Sequence, residues 1–399
     1  MSLWWTLIRK AALPVAMLLG LPLLGAGLAG LPLEQILEFP PTTRYVAHPP
    51  FSKEVFAAYL FLIVAILLPL VRHGAVQYPT RKERPQLSGI FPWWGWAGVL
   101  GNAAAWTLAW TRFTWFAPLQ PHTFTPLWLS FIVVVNGLTY RNTGQCLMTH
   151  ETKRFLTLFP ASALLWWFFE YLNRFVQNWT YVNLPFGGIE YFLFATCAFS
   201  TVIPAVLSVK EWLESSFPVL DAFSHYRVCR PPRPKLWAAA VLTVSGLGLL
   251  GIGVFPSFLF SLLWVSPLAI LVSIQAIEGE EHIFSGIARG NWKDLAAAAL
   301  AGLICGWFWE MWNTYSLAKW VYSIPYVYAF KVFEMPILGY AGYFPFGLEC
   351  LAFAELLRRN RNGLKNHIDE ASGRPRSRHQ PTTRPEPREE GSGSPGRRA

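Results

Sequence analysis

Long, nearly unbroken apolar blocks alternate with short polar turns along most of this chain. A helix that crosses a bilayer needs about 20 mainly apolar residues. Windows of that kind fall near 11–30, 54–71, 90–110, 124–140, 156–176, 186–208, 236–254, 257–275, 294–313 and 336–357. They predict an all-α, polytopic transmembrane helical bundle of about ten spans. The first window also reads as a signal peptide with Arg9 and Lys10 as its basic flank. Its apolar stretch is long for that role, which favours a retained helix.

Two stretches of the chain match each other. Trp167-Phe-Phe-Glu170-Tyr-Leu-Asn173 corresponds to Trp307-Phe-Trp-Glu310-Met-Trp-Asn313, and Trp179-Thr-Tyr181 to Trp320-Val-Tyr322. Pro185-Phe-Gly-Gly-Ile-Glu190 then pairs with Pro345-Phe-Gly-Leu-Glu349. The copies are offset by four predicted helices, an even number, so both should have the same orientation in the membrane. The expected organisation is two N-terminal helices in 1–88, a four-helix repeat in 89–210 and a cytoplasmic linker in 211–235. A second four-helix repeat fills 236–359, and a basic tail follows in 360–399.

Charge fixes the expected orientation. Only 14% of residues are charged and 53% are apolar, where soluble domains carry roughly 25% charge. Basic residues gather in alternate loops: Arg72, Arg81, Lys82 and Arg84, then Arg141, Lys153 and Arg154, then Lys210 through Lys235, then Arg289 and Lys293. From Leu357 onward the chain has eleven Lys and Arg against five Asp and Glu, or +6 of the net +10. By the positive-inside rule this places both termini in the cytoplasm of a plasma (inner) membrane protein. The Pro-, Gly-, Ser- and Arg-rich tail is expected to be disordered beside anionic lipid headgroups, with no nucleic acid as partner.

The repeated acids carry the candidate chemistry. Glu170 and Asn173 lie three apart on one helical face, and Glu310 and Asn313 repeat them. Glu190 and Glu349 follow a Pro-Phe-Gly helix start. An ionisable group near the middle of a span costs roughly 2.5–3.5 kcal/mol on insertion scales, so recurrence of the same acids points to a shared cavity near the outer leaflet. A general acid must keep its proton near neutral pH, which apolar surroundings favour and a helix N-terminus opposes. Glu170 and Glu310 therefore read as proton donors, and Glu190 and Glu349 as ionised partners that stabilise cationic charge. Asn173, Asn313, Trp167, Trp307, Trp179, Trp320, Tyr181 and Tyr322 read as substrate-binding residues, since ring faces attract cations.

Other chemistries lack their residues. None of the eight histidines falls well inside a span, and no P-loop or dinucleotide motif appears. No cofactor or metal is expected. Glu278, Glu281 and His282 form one acidic cluster on a cytoplasmic helix end, without a counterpart in the first copy. The five cysteines read as small apolar fillers, and Asn178-Trp-Thr180 matches a glycosylation sequon.

The layout resembles the heterodimer-type lycopene cyclase superfamily, which includes carotenoid hydratases and integral-membrane terpene cyclases. The resemblance rests on Trp167/Glu170 and Trp307/Glu310, Trp179/Tyr181 and Trp320/Tyr322, then Pro185/Glu190/Phe192 and Pro345/Glu349/Phe353. The chain departs from that pattern in four ways. It has single rather than paired Glu residues, a longer Pro-to-Glu spacing, four helices per copy rather than three, and an extra Glu334-Met-Pro336 segment in the second copy. The resemblance implies an acid-catalysed, redox-neutral cyclisation or hydration of an isoprenoid or carotenoid lipid, an isomerase- or lyase-type reaction. Two other readings stay open: a proton-coupled transporter or lipid-handling protein, and a non-catalytic membrane scaffold.

Overall fold

The computed structural model describes residues 3–41, 44–77 and 89–371. The basic loop residues Arg81, Lys82 and Arg84, and the tail from Ser372, lie outside the described residues. One compact unit comprises Met1–Arg358, and a second, Arg359–Ala399, is helical over 359–371.

Helix occupies each of the ten apolar windows. The long helices are α1 (Leu3–Leu28), α2 (Lys53–Gln77), α3 (Trp93–Trp110), α4 (Phe124–Thr143) and α5 (Thr152–Val176). They continue with α6 (Gly188–Phe199), α7 (Val202–Ser216), α8 (Pro234–Val254), α9 (Ser266–Glu278), α10 (Lys293–Tyr315) and α11 (Tyr343–Ala371). Among the described residues, six helical segments are long and apolar enough to cross a membrane. The number rises to eight if two bent pairs each count as one span. This marks a multi-pass helical membrane protein. One bend, of 72°, joins the 3₁₀ segment Thr114–His122 to α4, and the other, of 54°, joins Pro256–Trp264 to α9. A proline early in each following helix (Pro126 and Pro267) suits such a start, because its missing N–H is not needed there.

The core forms where α7 packs on α4, α5 and α10. Phe169 of α5 and Phe346 of α11 are fully buried there, with rings 5.5 Å apart. Small residues set the closest crossings. A Cβ on Gly302 of α10 would overlap the Tyr343 carbonyl and sit 2.9 Å from the Gly347 Cα of α11. Gly25 of α1 and Gly253 of α8 make a similar close crossing between those two helices. By contrast α2 buries none of its most apolar stretch, and Phe61 is 77% exposed, as befits a lipid-facing helix.

The sequence pattern predicts helices alone, yet the described residues include two short antiparallel ribbons. Strands β1 (Trp179–Val182) and β2 (Lys319–Tyr322) pair with Trp179 opposite Tyr322 and Tyr181 opposite Trp320. Residues opposite and two apart share a face, so all four rings lie on one side of the ribbon. The second ribbon, β3 (Lys331–Val332) with β4 (Met335–Pro336), belongs to the extra segment of the second copy. It is tied to β2 by the Lys319–Glu334 ion pair at 2.5 Å.

Overpacking a tight crossing typically costs about 1–3 kcal/mol. Gly302→Leu should therefore lower the thermal midpoint of the detergent-solubilised protein by several degrees. Gly20→Leu, where a Cβ meets nothing within 4 Å, should leave it unchanged.

Candidate functional site

The repeated Trp-x-x-Glu-x-x-Asn segments end α5 and α10, and each delivers the chain into one strand of the β1–β2 ribbon. Asn173 and Asn313 make that turn. The Asn173 amide donates to the Trp179 carbonyl at 2.8 Å while its oxygen accepts the Asn178 N–H at 2.8 Å. The Asn313 amide donates to the Trp320 carbonyl at 2.8 Å, and its oxygen accepts the Trp320 N–H at 2.9 Å. At the first turn Gln177 adopts a left-handed conformation (φ 52). These asparagines read as substrate-binding in the sequence. In the structure they hold the strands and do not line the cavity described below.

Glu170 and Glu310 are buried, at 4% and 0% exposure. One oxygen of Glu170 accepts the Trp166 indole N–H at 3.0 Å, the Trp179 N–H at 3.0 Å and the Tyr181 hydroxyl at 2.7 Å. One oxygen of Glu310 accepts the Tyr322 and Tyr343 hydroxyls, both at 2.6 Å, and the Trp320 N–H at 3.4 Å. The other Glu310 oxygen is buried without a partner. The ribbon thus supplies one Trp and one Tyr to each carboxylate. Burial and the adjacent carboxylate push the Tyr181 and Tyr322 phenols well above the usual tyrosine range, which keeps both as donors.

The third donor differs between the copies. In α5 it is Trp166, one turn before Glu170; the equivalent position in α10 is Gly306. A Cβ at Gly306 would overlap the Tyr343 ring. The room left by the missing side chain admits Tyr343 from α11, whose hydroxyl then reaches Glu310.

The other two predicted acids are not gathered here. Glu190 is exposed, and its carboxylate accepts the Gly187 N–H at 3.2 Å as a helix cap. Glu349 is buried, with neither oxygen hydrogen-bonded. The Leu268 N–H at the start of α9 faces it without reaching hydrogen-bond geometry. The two differ because α6 begins after Pro185, whereas α11 already includes Pro345. Glu190 therefore stays in a first helical turn, while Glu349 lies nearly two turns into the bundle.

A cavity of about 980 Å³ opens beside the ribbon, near the upper end of the range for small-molecule sites. Trp179, Tyr181, Trp320 and Tyr322 line it, as do Trp166, Trp264, Trp309 and Tyr343. The 3₁₀ turn at Phe260–Trp264 places Trp264 in stacked contact with Phe169 at 5.1 Å and Trp179 at 5.7 Å. Tyr59, Leu62, Ile63 and Ile66 of α2 form one wall, and Tyr191, Phe194 and Phe199 of α6 another. Neither Glu170 nor Glu310 lines the cavity: each sits behind its Trp and Tyr donors. Trp167 and Trp307 also lie outside it. The Trp167 N–H is bound to Thr196, and Trp307 is 46% exposed.

Two further sequence features have these settings. Asn178 and Thr180 of the sequon are buried, at 3% and 5% exposure. Among the described residues no three His, Cys, Asp or Glu side chains gather as a metal site, Glu278, Glu281 and His282 included. The sequence reading missed Tyr343, because its counterpart across the repeat is Asn183. The available signal was Gly306 standing where the first copy has Trp166. Comparison with protein-family models, characterised proteins and solved structures gives no match to this chain.

Asn313 satisfies both part-buried backbone groups of Trp320, and leaving a fully buried group unpaired costs about 1–3 kcal/mol, an upper bound here. Asn313→Ala should lower the thermal midpoint and shift tryptophan emission to the red as the ribbon loosens. Glu310→Gln keeps the accepting oxygen and should fold with a midpoint within a few degrees of wild type.

Proposed function

We propose that the protein is an integral-membrane enzyme that binds a long, uncharged isoprenoid or carotenoid-type lipid and acts on it by acid-catalysed cyclisation or hydration. The observation that carries this reading is the aromatic cavity flanked by two buried carboxylates, each tied to it by tyrosine and tryptophan donors. Its size and apolar lining suit a hydrocarbon chain. The lining ammonium, Lys319, is neutralised by Glu334 at 2.5 Å, which disfavours a diphosphate. The surrounding indole and phenol faces would stabilise a carbocation formed by protonating an alkene. The residues named by the resemblance to the lycopene cyclase superfamily that meet in this arrangement are Glu170, Glu310, Trp179, Trp320, Tyr181 and Tyr322.

The membrane setting of this reading is two parallel four-helix repeats preceded by α1 and α2. In it about ten helices cross a plasma (inner) membrane with both termini cytoplasmic. The repeated Glu, Asn, Trp and Tyr hydrogen bonds support the duplication, and the loop charges support the orientation.

A second reading has its own support. Because the carboxylates are screened from the cavity by their donors, the same geometry suits a lipid-handling protein that holds its cargo without altering it. Expression in an isoprenoid- and carotenoid-producing host separates the two. With wild type, lipid extracts should contain a product of unchanged oxidation level, either of the same mass or heavier by one water. The Glu170→Gln/Glu310→Gln double variant should lose it by at least about 100-fold, the scale of general acid catalysis. Unaltered lipid recovered with wild-type protein would leave only the lipid-handling reading.

A further inference from the structure

The two carboxylate clusters look like copies, but their donors give them different chemical capacities. Glu170 is held by two indole N–H groups and one phenol, while Glu310 is held by two phenols and one longer indole contact. An indole N–H only donates, whereas a phenolic hydroxyl both donates and accepts and so passes a proton along. Of the two phenols at Glu310, Tyr322 already accepts the Trp320 N–H at 2.8 Å. Tyr343 lines the cavity, packs 5.9 Å from the Trp309 ring and reaches Glu310 at 2.6 Å. The buried, unpartnered second oxygen of Glu310 has no equivalent among the unpartnered atoms at Glu170.

We propose that the two halves are functionally unequal: Tyr343 is the catalytic proton donor, recharged by Glu310 behind it, while the Glu170 cluster positions the Trp179 and Tyr181 rings of the ribbon wall. This rests on the acid-catalysis reading above. With Glu310 in its acid form, the Tyr343 O–H bond breaks as its proton adds to one alkene carbon. The π electron pair becomes the new C–H bond and the other carbon becomes cationic. In the same step the Glu310 proton moves to the Tyr343 oxygen, leaving a carboxylate that accepts the Tyr322, Tyr343 and Trp320 donors. Ring closure followed by loss of a neighbouring proton, or capture of one water, releases a proton that returns to Glu310 through the same hydroxyl. No oxidant or reductant is required. The exchange of Trp166 for Gly306 is what admits this phenol to one copy alone.

The test measures conversion in the isoprenoid-producing host, together with deuterium incorporation when the purified protein turns over in D₂O. Wild-type product should gain deuterium at the protonated carbon. Tyr343→Phe keeps the ring that packs over Gly306 and should fold normally by thermal midpoint, yet lose at least about 100-fold in conversion. Glu310→Gln should lose as much. Tyr181→Phe and Glu170→Gln should each lose no more than about 10-fold, as positioning changes do. Equal losses in the two halves, or larger ones on the Glu170 side, would overturn the proposal while leaving acid catalysis intact. Wild-type product without deuterium would instead overturn the acid-catalysis reading itself.

Discussion

Two carboxylates inside a bundle of apolar helices constrain everything around them. Taking such a group out of water costs several kcal/mol when it is charged, and hydrogen bonds to a charged acceptor return about 1.5–3 kcal/mol each. Glu170 and Glu310 each receive three such donors on one oxygen. Their own helices supply at most one. The remainder arrive on the β1–β2 ribbon and on α11, so satisfying the acids requires the chain to leave each helix, turn on an asparagine and pair its two extended segments. The ribbon that interrupts an otherwise helical protein follows from this requirement.

The same requirement builds the cavity. Tryptophans and tyrosines chosen for their N–H and O–H groups bring large ring faces with them. On an antiparallel ribbon those rings share one side. The wall that results is polar at its back, where the carboxylates sit, and aromatic at its front. Opposite it, α2 contributes aliphatic side chains from a helix that is otherwise given over to lipid. The surface of this space is mainly apolar, and at the ribbon its polar groups are hydroxyls, indole N–H groups, Asn178 and the Lys319 ammonium paired with Glu334.

Much of this was legible in the sequence, and the rest was hidden for identifiable reasons. The helices follow from apolar length alone. The pairing of Glu170 with Glu310, and of Trp179 and Tyr181 with Trp320 and Tyr322, follows from the repeat. Strand geometry at those segments was hinted at by the Trp-x-Tyr alternation, which is too short for a periodicity argument. Glu190 and Glu349 occupy matching positions in the text of the two copies. One stays at the surface and the other is buried because α11 starts earlier relative to its proline than α6 does. The side of a helix on which Trp167 or Trp307 falls was equally beyond a pattern that counts aromatics without a register. Tyr343 was hidden because it replaces, from a different helix, a donor that the first copy supplies from its own.

At the centre of the proposed function is an uncharged isoprenoid lipid held in the aromatic cavity in front of the two carboxylate clusters. Native mass spectrometry of the protein, released from an isoprenoid-producing host in lipid nanodiscs, tests it most directly. The account predicts about one retained isoprenoid or carotenoid-type lipid per chain, lost when Ile63 of α2 is changed to Trp to fill the cavity. Retention of phospholipid alone, or of isoprenoid that survives the cavity-filling change undiminished, would contradict it.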